Sequence, residues 1–168
     1  FDGVFRYSKL TGIIDDVDTS ILSNITTLKI RKDLTPTLNS SLKYNVYFRN
    51  SLYNPHSGHN ASAGGILSST GFKVSGDTNE QFLDDDGNGI VRRYYLSGAT
   101  RVYSNSTQGT IDYTTGAITI NSLQVTSISN IRGSASSVIE LTVQPASKDI
   151  VPVRDQIIEI DIANSNFT

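Results

Sequence analysis

Apolar positions keep one period at the start of the chain and another over the rest. Tyr7, Leu10, Ile14, Val17 and Ile21 recur at alternating spacings of three and four residues, which lines one stripe of a helix. The spacing predicts an amphipathic helix over about residues 5–22, with Ser8 placed to cap it. Gly12 weakens its middle, and Asp15, Asp16 and Asp18 fall toward the C-terminal end, where the helix dipole disfavours acids. A break near Asp18 is expected, followed by a second short turn from Thr19 to Leu22.

From residue 25 the period becomes two. Thr26, Leu28 and Ile30 alternate with Thr27, Lys29 and Arg31, and Leu42, Tyr44, Val46 and Phe48 alternate with Lys43, Asn45, Tyr47 and Arg49. Further strands are expected at 66–74, 80–84, 90–96, 101–104, 109–113, 117–128, 138–143 and 157–162, separated by Gly, Asn, Asp and Ser. Two hairpins stand out, Phe82 to Val91 around Gly87-Asn88-Gly89, and Ile111 to Ile118 with a shorter turn at Gly116. Residues 54–66 carry no apolar period and many small polar residues, the composition of a mobile exposed loop. The fold expected is mainly β, an antiparallel β-sandwich or open barrel with an N-terminal amphipathic α-helix, or α+β if the helix is counted. One structural domain over 1–168 is expected, with its β region at about 25–163.

At 37% hydrophobic and 18% charged residues the chain can build a core, and no repeat of solenoid length is present. A formal charge of -2 with dispersed basic residues offers no attraction to a phosphate backbone, so no nucleic-acid partner is expected. Lys29, Arg31 and Lys32 read as the wet side of a strand rather than a binding patch. Absence of cysteine excludes disulfides and thiolate metal sites. No apolar run reaches the roughly 18 residues that span a bilayer, and no membrane partner is expected. The lack of methionine and the start at Phe1 suggest a piece of a longer protein.

Candidate chemistry is sparse. Asp84, Asp86 and Asn88, with Gly89, match the opening of a calcium loop, but the twelfth position is Tyr95 rather than a bidentate Glu, so a plain acidic turn is the preferred reading. His56 and His59 are three apart, a spacing that can place two imidazoles on one metal; in a loop with no acid of its own, solvation is the preferred reading. No Gly-X-Ser-X-Gly elbow and no phosphate-cradling glycine loop occur, and the paired acids Asp15-Asp16 and Asp84 to Asp86 lie on a helix and in a turn. No catalytic residue, cofactor or enzymatic activity is expected.

Three stretches together resemble the baseplate-wedge subunit, also called the baseplate-J-like family, of T-even-like contractile-tailed phages and cyanophages, in its C-terminal part. They are Tyr7-Ser8-Lys9-Leu10 through Ile13-Ile14-Asp15-Asp16 to Ser20-Ile21-Leu22-Ser23-Asn24-Ile25-Thr26, then Gly109-Thr110-Ile111-Asp112-Tyr113-Thr114-Thr115-Gly116, and Asp149-Ile150-Val151-Pro152-Val153-Arg154-Asp155-Gln156-Ile157-Ile158-Glu159-Ile160. The resemblance implies a virion structural protein of the tail baseplate, assembled in the host cytoplasm, that self-associates and meets neighbouring wedge subunits; it implies no catalytic residues. Tyr7, Leu10, Ile14, Val17 and Ile21 are then the interface candidates. The alternative is a sugar-binding or host-adhesion β module in which Tyr94, Tyr95 and Tyr103 stack on sugar rings, although strand tyrosines more often pack across strands.

Overall fold

A computed structural model describes residues 4–19, 24–152 and 159–165 of the chain. They divide into two compact units, Leu28–Ser147 and the pair of segments Phe1–Thr27 and Lys148–Thr168.

In the larger unit one strand organises the rest. The buried residues of β8 (Ala117–Ile128) are Ile118 and Ile120, then Leu123 and Val125, so the inward side moves from even to odd positions at Asn121–Ser122. A strict strand cannot do this, because its side chains alternate with period two. The extra residue is a β-bulge. Across the pairing with β2 (Ser41–Tyr47), Leu42 faces Leu123 and Tyr44 faces Ile120, so β8 advances three residues while β2 advances two. Ser122 takes the left-handed conformation there, with φ 47°.

The first half of β8 pairs with β7 (Thr100–Asp112) and the second half with β4 (Phe72–Val74). Between them, β4 pairs with β5 (Asp77–Asp85), β5 with β6 (Ile90–Ser97) and β6 with β7. These 5 strands close into an antiparallel barrel, with β2 added on β8. The mainly β fold with one N-terminal helix is thus as expected, and the barrel is closed. A second sheet of 3 strands sets β9 (Ile139–Val143) between β1 (Ile30–Leu34) and β3 (Ser68–Ser69). Phe72, Leu83, Val91, Ile111, Ile118, Ile120, Leu123 and Val125 join Ile139, Leu141 and Val143 in one core. Each such side chain contributes roughly 1.5–3 kcal/mol on burial.

Several boundaries differ from the sequence reading. The strand expected from Thr26 begins at Ile30, which leaves Lys29 outside it, and Arg31 pairs with Asp33 and Glu140. The stretch 66–74 is not one strand but β3 and β4, which enter different sheets. The strands expected at 101–104 and 109–113 are one, β7. Its polar middle is satisfied in place, with Ser104 Oγ donating to Gln81 and Asn105 to Gln108, so polarity does not interrupt the ladder. Of the strand expected at 157–162, residues 157 and 158 lie outside the described residues, and Ile162–Asn164 form a 3-10 turn.

In the smaller unit α1 spans Tyr7–Asp15, shorter than the expected 5–22. Ser8 lies inside the helix rather than at its cap. The Tyr7 amide donates instead to Asp149 Oδ1 at 2.8 Å, an acid from the far end of the chain that offsets the positive helix terminus. Tyr7 OH donates to the Thr26 carbonyl at 2.9 Å, the Lys148 ammonium sits 4.4 Å over the Tyr7 ring, and Phe5 bridges to Ile150. The helix ends where the acids begin: the Asp16 amide donates to the Gly12 carbonyl and the Val17 amide to that of Ile14. Of the second turn expected from Thr19 to Leu22, residues 20–22 lie outside the described residues.

Barrel closure leaves no room at Gly109, which pairs with Val91 of β6 and Ile120 of β8 and whose Cβ would overlap the Thr119 carbonyl. Gly109→Ala is expected to cost about 3 kcal/mol in equilibrium denaturation. Gly12→Ala, with nothing within 4 Å of the added Cβ, is expected to be neutral or to raise helix content.

Candidate functional site

The hairpin of β5 and β6 sets the register that builds the polar centre of the larger unit. Asp84 faces Arg92 and Phe82 faces Tyr94 across it, and β7 brings Tyr103 opposite Tyr94. Asp84 is 1% exposed, and its two oxygens are divided between partners. Arg92 Nε donates to Oδ1 at 2.9 Å, while Arg101 Nη1 and Tyr103 OH donate to Oδ2, both at 3.0 Å. Burial holds the Asp84 carboxyl above the usual carboxylate range, against the downward pull of Arg92, Tyr103 and Arg101.

Asp85, which the calcium pattern passes over, is more heavily engaged than Asp84 or Asp86. It is fully buried, and four donors converge on it. The Ile66 and Leu67 amides both reach Oδ1 at 2.7 Å, and the Gly87 amide at 3.1 Å and Tyr113 OH at 2.6 Å reach Oδ2. Burial, followed by the Asp85 hydrogen bond and charge, pushes the Tyr113 hydroxyl well above its ordinary value. Asp86 Oδ1 accepts the Asn88 and Ile90 amides and so serves the turn. The calcium candidates therefore have separate occupations: Asp84 holds two guanidinium groups, Asp86 closes the turn, and Asn88 Oδ1 accepts from Ser57 Oγ.

These contacts also settle where residues 54–66 go. The segment expected to be a mobile loop is tied along its length to the acidic hairpin. The Gly58 amide and Asn54 Nδ2 donate to the Gly87 carbonyl, Arg92 Nη2 donates to the Ala61 carbonyl, and Asp85 takes the Ile66 and Leu67 amides. Gly65 lies against the Asp85 carboxylate at φ +63°, where a Cβ would collide with it. His56 and His59 are brought together on this segment, with rings 5.0 Å apart.

Of the tyrosines proposed for sugar stacking, Tyr94 is buried, Tyr95 is half-buried and Tyr103 is exposed. Tyr94 is stacked on Phe82 at 5.6 Å with Arg101 over it at 4.8 Å, and Arg92 lies 4.3 Å over the Tyr103 ring. Tyr95 pairs with Val102 across β6 and β7.

The interface candidates lie in the smaller unit. Tyr7, Leu10 and Ile14 are half-buried on α1, Val17 lies past its end and is 74% exposed, and Ile21 is outside the described residues. No residue of α1 is fully buried, and Ile13, Ile25, Val151, Ile160 and Ile162 are also exposed. Among the described residues no group of three or more His, Cys, Asp or Glu is placed to hold a metal, and no helix is long and apolar enough to cross a membrane.

Residues 1–33 match the family model described as Baseplate structural protein gp6, C-terminal domain III. The start of the chain is therefore similar to part of a phage baseplate structural protein, which supports a baseplate component of the virion tail. No curated protein matches the chain. No solved structure matches it either.

Because Asp85 holds the loop through hydrogen bonds, Asp85→Asn places an amide donor against the buried donors. It is expected to lower stability by about 1–3 kcal/mol, equally with and without calcium, in paired thermal melts. Tyr113 predicts an alkaline limit. The fold keeps its proton while the unfolded chain releases it at the ordinary value of about 10, so this stabilisation is complete below that pH and is lost as pH rises further. Melting temperatures taken from about pH 9 to about pH 11 should fall, and less steeply in Tyr113→Phe.

Proposed function

We propose that this chain is a non-enzymatic structural component of a phage tail baseplate, working in wedge assembly through protein–protein contact. The observation that carries this reading is a coincidence of place. The stretch that matches a baseplate structural family, residues 1–33, contains apolar side chains at Ile13, Val17 and Ile25 that the fold leaves in water. An element of nine residues with no fully buried member is only partly covered by its own chain, and an isolated helix of that length is marginal in water. Covering side chains of this kind in an interface returns part of the roughly 1.5–3 kcal/mol that each is worth on burial.

A second copy of the chain is the occupant proposed for this surface, with neighbouring wedge subunits as further partners. A symmetric pair is the commonest way to satisfy such a face, and a stable one buries about 1,200 Å² or more. The sugar-binding alternative draws less support, since Tyr94 and Tyr103 already have arginines on their rings. The non-enzymatic reading is supported by Asp84 and Asp85, buried acids whose oxygens are occupied by arginines, amides and tyrosines.

Light scattering across a concentration series is the test. The mass of the native chain should rise toward a dimer, while Ile13→Asp and Val17→Asp should remain monomeric with unchanged circular dichroism. A native chain that is monomeric at every concentration would remove self-association through this element.

A further inference from the structure

We propose that His56 and His59 form a surface binding site for a borderline divalent transition metal, with zinc as the reference ion. Nε2 of His56 and Nδ1 of His59 lie 3.4 Å apart. Two nitrogens at neighbouring vertices of a tetrahedron, each about 2.0–2.1 Å from a central zinc, are separated by about 3.3–3.4 Å. The imidazoles thus already hold the spacing that an ion between them requires.

Their orientation is set by the surrounding chain. Nδ1 of His56 donates to the Ser57 carbonyl at 3.0 Å, which fixes the tautomer and leaves the Nε2 lone pair directed at His59. A backbone carbonyl on the non-coordinating nitrogen is the usual support of a metal-binding histidine. The His59 ring stands edge-on to Tyr53 at 5.2 Å and to His56 at 5.0 Å. Beneath them the backbone is held by the His59 amide on the His56 carbonyl at 3.1 Å and the Gly58 amide on the Gly87 carbonyl at 3.0 Å. The loop backbone is thus already ordered, and binding asks only that the two rings turn from one another toward a shared ion, at the loss of the hydrogen bond between them.

Without metal, His59 Nδ1–H donates to His56 Nε2. When the ion enters, that proton leaves Nδ1 and solvent supplies one to Nε2 of the same ring, so both imidazoles coordinate in neutral form. His56 is exposed and His59 half-buried, which gives the ion access. The two remaining vertices are filled by water. Nitrogen donors select zinc, copper or nickel over calcium and magnesium.

The test is calorimetric titration of the full chain with zinc chloride in a non-chelating buffer, with calcium chloride in parallel. Saturable binding of one zinc per chain is expected, with no calcium heat, and His56→Ala and His59→Ala should each weaken it by about tenfold or more. Because a variant can perturb the loop, the histidine ring resonances of the native chain supply a second reading, and both rings should shift together as zinc is added. No saturable zinc binding, equal binding by both variants, or unmoved ring resonances would each overturn the proposal.

Discussion

Closure of the barrel depends on a single strand changing the side it turns inward. β8 meets β2, β7 and β4, and it does so because the bulge at Asn121–Ser122 moves the buried positions from Ile118 and Ile120 to Leu123 and Val125. Without that shift either the first or the second pair of apolar side chains would face water, and β4 and β7 would lose their common partner. The strands between them, β5 and β6, are thereby held at the register that sets Asp84 opposite Arg92 and leaves Asp85 at the end of the strand, against the loop.

The buried charges follow from this geometry rather than causing it. An ion pair taken out of water regains in attraction about what it loses in solvation, so Asp84 with Arg92 and Arg101 is weak evidence of net stability. What it does supply is discrimination among alternatives. A slip of one residue between β5 and β6 would strand a carboxylate and a guanidinium in the interior, at a cost of several kcal/mol. Both arginines also lie on tyrosine rings, which places their apolar faces against carbon and their donors on Asp84.

Local features were legible in the sequence, and contacts between distant segments were not. The two periods separate helix from sheet, and Phe82 to Val91 and Ile111 to Ile118 form the expected hairpins because glycines stand where φ is positive. The strand at 117–128 was expected, but its bulge, which shifts the buried positions from Ile118 and Ile120 to Leu123 and Val125, was not, and neither was the pairing of Asp84 with Arg92. Asp85 gave no signal either: its donors come from Ile66, Leu67 and Tyr113, which only the folded barrel brings near. The same reason explains residues 54–66, whose composition reads as mobile while their anchors lie elsewhere in sequence. In α1 the apolar stripe was clear but its length was not, since the acids at 15 and 16 end the helix and the Asp149 contact at its start is made from the opposite end of the chain.

The clasp between Asp85 and the loop bears on how the chain endures. A protease must draw several residues of substrate into an extended form, which an exposed tether with small side chains ordinarily permits. Here, extending the backbone near Ile66 would leave a buried carboxylate without two of its donors, and releasing Ala61 would take a partner from Arg92. Opening the loop is therefore coupled to loosening the barrel. Cleavage must wait for a rarer, larger fluctuation than loop composition suggests.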